Sequence, residues 1–125
     1  MTHQDVQTWL DGYIAAWRSG EAAAIGDLFS EDVRYSYRPW TDDHRTVTGR
    51  DAVVASWMSD PDDPDAWDAG YEPYIVEGDR AVAIGYSHYQ PAGEHPERTY
   101  HNAFLLRFDD DGRCSEFREF WMLRS

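Results

Sequence analysis

The spacing of apolar residues changes from helical to alternating along the chain. Near the start, apolar side chains recur every three or four positions, which predicts one face of an amphipathic helix: Val6, Trp9, Leu10, Tyr13, Ile14 and Trp17. Thr2 and Asp5 have the spacing of a capping box, and Ser19-Gly20 is a stop signal. The alanine-rich segment that follows predicts a short second helix over about residues 21–29.

Residues 33–38 alternate between apolar and polar side chains, which predicts a strand whose odd positions face inward: Val33, Tyr35 and Tyr37. Pro39 ends this strand. Thr48 and Asp51 resemble a second capping box. A third helix is therefore expected after it, with an apolar stripe formed by Val53, Val54, Trp57 and Met58.

The second half of the chain predicts four strands in a meander. The strands are expected near residues 71–77, 82–88, 100–108 and 117–123, separated by turn-forming segments such as Gly78-Asp79. On the second of these strands, we expect the face with the larger side chains, including Tyr86 and His88, to point inward. Helices grouped before antiparallel strands indicate an α+β fold.

Composition and charge argue against several kinds of partner and binding site. The 125 residues fit one domain, residues 1–125, and the net charge of −13 with no lysine disfavours nucleic acid and anionic membranes as partners. A single cysteine, Cys114, excludes an intrachain disulfide and a multi-cysteine metal site, which suits a reducing cytoplasm. There is no apolar run of membrane-spanning length and no signal-peptide pattern at the N-terminus, so we expect a cytoplasmic protein.

No motif in the sequence supports a built-in cofactor. Glycine-rich nucleotide loops and the HExxH zinc motif do not occur. The acidic stretch at residues 60–68 lacks the residue order of an EF-hand and is predicted to be a solvated loop or lid. Asp42, Asp43 and His44 could act as acid/base groups or bind a divalent ion, but a polar loop is the simpler interpretation. We therefore expect neither a metal site nor a cofactor.

Three sequence stretches resemble one known family. They are the SGE–LFSED pattern between the predicted helices and the first strand, the TGRDA start of the third helix, and RFDDDGR before the last strand. Together they make residues 5–123 similar to the nuclear transport factor 2-like superfamily, nearest to its SnoaL-like and ketosteroid-isomerase-like branches. The resemblance implies a cone of curved antiparallel sheet closed by three helices, an apolar pocket, and a homodimer through the outer sheet face. This superfamily contains enzymes and non-enzymes, so the fold alone does not determine function.

Of the three catalytic residues of ketosteroid isomerases, the resemblance gives only one a counterpart in this sequence. The resemblance places Tyr13 at the tyrosine that donates a hydrogen bond to the oxyanion. Tyr37-Arg38 stands where the family has its general-base aspartate, and Phe104 stands at the protonated aspartate. The acid/base aspartate of SnoaL-like cyclases would fall near Trp121, where no acid is present. The resemblance therefore leaves the proton-transfer group unassigned.

Four polar residues of the predicted inner faces are candidate catalytic groups. His88 would titrate near neutral pH, although a solvated histidine at the sheet rim is an alternative. Glu119 is the only charge on its strand face, and burial would raise its pKa, as a general acid requires. The alternative is that Glu119 forms an ion pair with an arginine and has a structural role. Asn102 could bind a ligand carbonyl or bridge two strands, and Tyr13 could stabilise an oxyanion or belong to the core.

The remaining inward aromatic residues predict the walls of a substrate pocket: Trp17, Tyr35, Tyr37, Trp57, Tyr86, Phe104 and Trp121. The sequence favours a cofactor-free acid/base enzyme of the isomerase, cyclase, dehydratase or hydratase type acting on a small apolar substrate. A non-catalytic binding protein for an apolar ligand is one alternative. A dimeric interaction module with a filled core is another, with an outer contact face formed by Tyr89, Leu105, Phe120 and Met122.

Overall fold

The computed structural model describes residues 1–40 and 46–124. It contains three helices and six strands: α1 (His3–Ser19), α2 (Ala22–Gly26), β1 (Phe29–Ser36), β2 (Thr46–Thr48), α3 (Arg50–Ser59), β3 (Trp67–Glu77), β4 (Arg80–Tyr89), β5 (Arg98–Phe108) and β6 (Cys114–Leu123). The predicted α+β class and element order are confirmed, and the short strand β2 is an addition. No helix in these described ranges is both long and apolar enough to span a membrane.

The first helix has the predicted ends, whereas the third begins differently. The Thr2 hydroxyl accepts from the Asp5 amide at 3.0 Å, and the Asp5 carboxylate accepts from the Thr2 amide at 2.9 Å. Gly20 ends α1 with a φ of 67°, in the left-handed region that favours glycine. The predicted capping box at Thr48 is wrong, because Thr48 still belongs to β2 and Gly49 is the N-cap residue of α3.

The six strands form one curved, unclosed sheet in the order β2-β1-β6-β5-β4-β3. Strands β3 to β6 form the predicted antiparallel meander. The β1–β6 pair is parallel, so the sheet is mixed and not wholly antiparallel as expected. After β1, the chain forms β2 and α3 and then begins β3 at the opposite edge of the sheet. The four strands of the meander bring the chain back, so that β6 lies beside β1 and runs in the same direction.

Helix α1 packs on the inner face of the sheet, which we define as the face covered by the helices. The Trp9 ring lies 5.6 Å from the Phe108 ring, and Tyr13 stacks on Phe117 with ring centroids 5.6 Å apart. Phe29 and Phe117 are fully buried in the same cluster. Burial of these aromatic side chains is the main stabilising contribution at this end of the molecule.

The inner face of β4 carries the small side chains, which contradicts the sequence prediction. Tyr86 is 40% exposed on the outer face, and His88 shares that face. Tyr89, which was assigned to the outer contact face, instead points inward. The inward positions of β4 are Ala81, Ala83, Gly85, Ser87 and Tyr89.

Aromatic rings from the two neighbouring strands explain this orientation. Tyr71 on β3 and Phe104 on β5 pack over β4 with ring centroids 4.7 Å apart. A Cβ atom at Gly85 would lie 2.6 Å from the Tyr71 ring and 2.0 Å from the Gly70 carbonyl oxygen. Only small side chains fit beneath these rings, so the larger side chains of β4 occupy the outer face.

Candidate functional site

A cleft lies above the aromatic core, between α1, α3 and the inner face of the sheet. It has an inner lobe of about 220 Å³ and an adjoining outer lobe of about 300 Å³. Asp62, Ser87, Tyr89 and Glu119 line both lobes. Apolar and aromatic side chains line part of the inner lobe: Tyr13, Trp17, Ile25, Tyr35, Trp57, Met58 and Tyr71. The hydroxyls of Ser56 and Ser87 and the carboxylates of Asp60, Asp62 and Glu119 line the rest. A concave site that combines aromatic walls with polar groups is typical of small-molecule binding.

Glu119 is the carboxyl group that lines both lobes from the inner face of the sheet, whereas Asp62 does so from the exposed loop. It lies on the inner face of β6, opposite Phe104 of β5. Burial raises its pKa from 4.5 to about 7, although a hydrogen bond from Asn102 lowers it in part. Both protonation states of Glu119 are therefore populated near neutral pH, as a group that accepts and donates protons requires.

Two buried polar side chains hold the Glu119 carboxylate in place. The Ser87 hydroxyl donates to the Asn102 Oδ1 atom at 3.1 Å, and the Asn102 Nδ2 atom donates to Glu119 Oε2 at 2.9 Å. Ser87 and Asn102 are 4% and 7% exposed. Because the Ser87 hydroxyl bonds to the Asn102 amide oxygen, it orients the Asn102 amide nitrogen toward Glu119. This nitrogen bonds to Oε2 of Glu119 and not to Oε1.

Neutral phenols line the inner lobe beside Glu119. Burial raises the pKa of Tyr13 well above its ordinary value, with smaller effects from Tyr35 and from the charge of Glu119. Burial likewise raises the pKa of Tyr35, whose hydroxyl is hydrogen-bonded with Tyr13 and Trp57. These tyrosines therefore stay protonated at neutral pH. Because Tyr13 donates to Tyr35, the Tyr35 hydroxyl is the one that can donate to a ligand oxygen.

The acidic loop at residues 60–66 forms part of the cleft wall. The Trp17 indole donates to the Asp62 carboxylate at 3.0 Å, and the Arg18 guanidinium donates to the Pro64 carbonyl. Trp17 also stacks on Trp67, at the end of this loop, with centroids 3.6 Å apart. The loop predicted to be a solvated loop or lid is thus held against the end of α1.

The outer lobe combines cationic and aromatic side chains. The Arg98 guanidinium lies 4.6 Å from the Tyr89 ring centroid, and the Arg38 guanidinium lies 5.9 Å from that of Trp121. Both arginines line the lobe together with Asn102 and Glu119. The entrance is therefore more polar than the inner lobe.

Most of the predicted site residues come together in this cleft. Tyr13, Trp17, Tyr35 and Trp57 line the inner lobe, Asn102 and Trp121 line the outer lobe, and Glu119 lines both. Phe104 is 1% exposed and belongs to the core beneath the cleft. Tyr37 is partly buried and packs against the edge of that core.

His88 and Tyr86 lie outside the cleft, so the prediction that they face the pocket is wrong. The two imidazole nitrogens of His88 contact Glu97 at 2.8 Å and Asp68 at 3.3 Å. The Tyr86 hydroxyl donates to Asp68 at 3.2 Å. The hydrogen bond to Glu97 raises the pKa of His88, and the cluster belongs to the outer surface.

The sequence interpretation missed several residues of the cleft, among them Asp62, Tyr71, Ser87 and Tyr89 of the inner lobe and Arg38 and Arg98 of the outer lobe. Ser87 and Tyr89 were assigned to the wrong face of β4. The available signal was the run of small residues at alternate positions of β4, which fits a strand packed beneath large rings. Asp62 and Tyr71 carried no local signal, because their positions depend on how the loop and β3 fold over α1.

Across residues 1–40 and 46–124, no group of three or more His, Cys, Asp or Glu side chains is arranged to hold a metal ion. The alternative built on Asp42, Asp43 and His44 lies outside the described residues.

Comparison with solved structures shows the fold. A nuclear transport factor 2-like protein of unknown function from Burkholderia pseudomallei superposes with a TM-score of 0.71 at 18% identity, covering 98% of this chain and 92% of that one. A similar protein from Mesorhizobium loti gives 0.68 at 19% identity, with 98% and 93% covered. A protein from Kribbella flavida described as a candidate ketosteroid isomerase gives 0.69 at 18% identity, with 98% and 82% covered.

Comparison at the sequence level gives the family. No curated protein matches the chain significantly. The family model of the SnoaL-like domain matches residues 10–117, which is most of the sequence. The match spans every helix and strand except the start of α1 and the end of β6. The chain therefore belongs to the SnoaL-like domain family, and its fold is that of the nuclear transport factor 2-like proteins it superposes on.

Proposed function

We propose that this protein is a cofactor-free acid/base enzyme that acts on a small molecule with an apolar body, with Glu119 as the proton-transfer group. The observation that carries the proposal is the Glu119 carboxyl, with its pKa raised to about 7, at the junction of the two lobes. Isomerisation, cyclisation, dehydration and hydration all require a group that both accepts and donates a proton.

The phenols of the inner lobe supply the complementary chemistry. When Glu119 removes a proton beside a carbonyl group, negative charge develops on the substrate oxygen. Tyr13 and Tyr35 face the same lobe and stay neutral. Tyr13 donates its proton to Tyr35, so the Tyr35 hydroxyl is the one that can donate a hydrogen bond to that oxygen.

Asn102 takes a different role from the one expected of an oxyanion donor. Its amide is engaged by Ser87 and Glu119. We therefore assign Asn102 as a positioning residue that orients the carboxylate, and we place oxyanion stabilisation on the tyrosines. Phe104 stands where ketosteroid isomerases have a protonated aspartate, so the donors here are phenols.

Turnover of small cyclic ketones, enols and alcohols by variants tests the proposal. Glu119→Gln is expected to lower kcat by about 10²- to 10⁴-fold, since it keeps the shape but removes the titrating group. Tyr13→Phe keeps the aromatic ring in the inner lobe but removes the hydroxyl group, and is expected to lower kcat. His88→Gln is the matched control, because His88 lies on the outer face. Full activity of Glu119→Gln on a substrate that the wild type converts would refute the role of Glu119.

A non-catalytic binding protein is the second candidate, favoured by the aromatic enclosure of the inner lobe. It predicts that a small ring compound binds and is recovered unchanged, and that Glu119→Gln alters affinity only.

We also propose that the protein forms a homodimer through the outer sheet face. Ile84, Tyr86 and Met122 are 36%, 40% and 72% exposed there. Ile84, Ala103 and Phe120 lie side by side on β4, β5 and β6, and Tyr86 and Met122 flank His101 in the next row. Exposed apolar side chains on adjacent strands favour association with a second surface.

A further inference from the structure

Resting on the proposed function, we propose that the substrate class of this cleft is a small organic cation: a protonated amine on a body of about one ring, with its ammonium group beside Asp60 and Asp62 and its ring among the aromatic side chains of the inner lobe. The proposal stands on the charges that line the inner lobe, on the helix end beside it, on its aromatic rings and on its volume.

The charged side chains that line the inner lobe are acidic. Asp60 and Asp62 line it from the exposed loop, and the buried Glu119 carboxyl lines it from β6. Within residues 1–40 and 46–124, no arginine or histidine lines this lobe. The Trp17 indole donates a hydrogen bond to Asp62, but it carries no charge. A ligand cation therefore meets carboxylates that no cationic side chain of the same lobe neutralises.

The C-terminal end of α3 adds to this negative potential. Ser56, Trp57, Met58 and the C-cap residue Asp60 line the inner lobe. Carbonyl groups at a helix C-terminus carry a partial negative charge, which favours a cation nearby. The Ser59 hydroxyl donates to one of these carbonyls, that of Ser56, and the last turn of α3 contains no basic residue. The helix end thus favours a positive charge on the ligand, beside the two loop carboxylates.

Aromatic rings complete the surroundings of an organic cation. They line much of the inner lobe: Tyr13, Trp17, Tyr35, Trp57, Tyr71 and Tyr89. A cation within about 6 Å of the face of a Trp or Tyr ring is attracted to the ring, and cages of such rings bind organic cations. The Trp17 indole nitrogen lies 3.0 Å from the Asp62 carboxylate, so an aromatic ring and a carboxylate stand together at the loop.

The volume of the inner lobe limits the body of the ligand. An apolar cavity of about 150 Å³ is large enough to bind benzene. The inner lobe has a volume of about 220 Å³. It therefore holds one six-membered ring with a short substituent that carries the amine.

The arginines of the cleft belong to its outer lobe. The Arg98 guanidinium lies 4.6 Å from the Tyr89 ring centroid, and the Arg38 guanidinium lies 5.9 Å from that of Trp121. Both arginines line the outer lobe, and neither lines the inner lobe. The net charge of −13 also attracts cations to the protein. The ammonium group is therefore assigned to the inner lobe, on the side of the acidic loop.

Matched pairs of single-ring probes test the inference. Benzylamine is compared with benzyl alcohol and 2-phenylethylamine with 2-phenylethanol, and benzoate is the anionic comparison. Tryptophan fluorescence at pH 8 and 0.15 M salt reports occupancy, because Trp17 and Trp57 line the inner lobe. At this pH the amines are protonated, and Glu119, with its pKa of about 7, is mostly ionised. We expect at least one amine to bind about 10- to 100-fold more tightly than its alcohol.

Variants of the acidic loop locate the origin of the preference. Asp60→Asn combined with Asp62→Asn removes both loop charges from the lobe, while the amide oxygen at position 62 can still accept from the Trp17 indole. This double variant is expected to reduce the amine preference about tenfold and to leave alcohol affinity unchanged. The matched control combines Asp63→Asn with Asp65→Asn, because these exposed residues lie on the same loop and line neither lobe. It should retain the preference.

Three results overturn the inference. The first is equal affinity for amine and alcohol, and the second is tighter binding of benzoate than of the amines. The third is an amine preference that survives the substitution of Asp60 and Asp62, or that the control variant reduces by the same factor, because the loop carboxylates of the lobe would then not be its origin.

The outcomes separate this inference from the proposed function. If the amines show no preference, the ligand class is wrong, while the acid/base role of Glu119 stands on its own turnover test. If no single-ring probe binds, the inference fails regardless of that test. If the amines are preferred but Glu119→Gln does not impair turnover, the ligand class holds and the catalytic role fails.

Discussion

The burial of Glu119 makes a measurable prediction about stability. Its pKa is raised from 4.5 to about 7, and each pKa unit corresponds to about 1.4 kcal/mol. Below pH 4.5 the group is protonated in the folded and unfolded states alike. As pH rises toward 7, the unfolded chain ionises first, so the folded state loses stability by up to about 3 kcal/mol. Glu119→Gln keeps the shape of the side chain but cannot ionise, and should not show this loss.

Urea unfolding followed by tryptophan fluorescence measures the effect. The free energies of unfolding of wild type and Glu119→Gln are compared between pH 4.5 and pH 8, because pH effects common to both proteins cancel in the difference. We expect the variant to gain stability relative to wild type as pH rises. Asp110→Asn, in an exposed turn, controls for the loss of one negative charge. A difference between wild type and Glu119→Gln that stays constant within about 0.5 kcal/mol, or that changes in the opposite direction, would refute the assignment of Glu119 as a buried, titrating group.

Three further predictions follow from the packing. Ser87→Ala removes the hydrogen bond that orients the Asn102 amide toward Glu119, so the pKa of Glu119 should rise above its value in the wild type. ¹³C NMR of the Glu119 carboxyl carbon measures this pKa, and an unchanged titration would contradict the positioning role. Gly85→Ala should destabilise the protein by about 1–3 kcal/mol, because its Cβ would lie 2.0 Å from a backbone oxygen. Gly12→Ala, on α1, should instead stabilise the protein by about 0.5–1 kcal/mol, because the nearest atom to its Cβ would be 3.6 Å away. Equal effects of the two substitutions in thermal unfolding would refute this reasoning. Met122→Asp places a charge on the apolar outer face and should shift a homodimer toward monomer in light scattering, while an unchanged dimer mass would place the interface elsewhere.

Several features of the site follow from local sequence patterns. The period of β5 and β6 places Asn102 and Glu119 on the inner face, and the structure confirms both positions. The helical spacing of α1 likewise brings Tyr13 and Trp17 to the cleft. These predictions succeeded because each strand or helix has one face with a clear excess of large apolar side chains.

Strand β4 shows where the same reasoning fails. Both of its faces are compatible with burial, so alternation alone does not decide which one turns inward. Size decides it: the Tyr71 and Phe104 rings from the neighbouring strands leave room only for residues such as Gly85 and Ser87. That information is held on other strands, so the alternation of β4 led to the wrong face for His88, which shares its face with the larger side chains of this strand.

The sequence by itself determined the element order, the α+β class and the apolar face of each clearly amphipathic element, because these depend on side-chain periodicity over neighbouring residues. Only the tertiary structure decided that β1 and β6 run parallel and that the acidic loop folds against Trp17. It also decided that Ser87 and Asn102 hold Glu119 at the junction of the two lobes. These features depend on contacts between residues far apart in the chain, and the pKa of Glu119 depends on the burial that those contacts create.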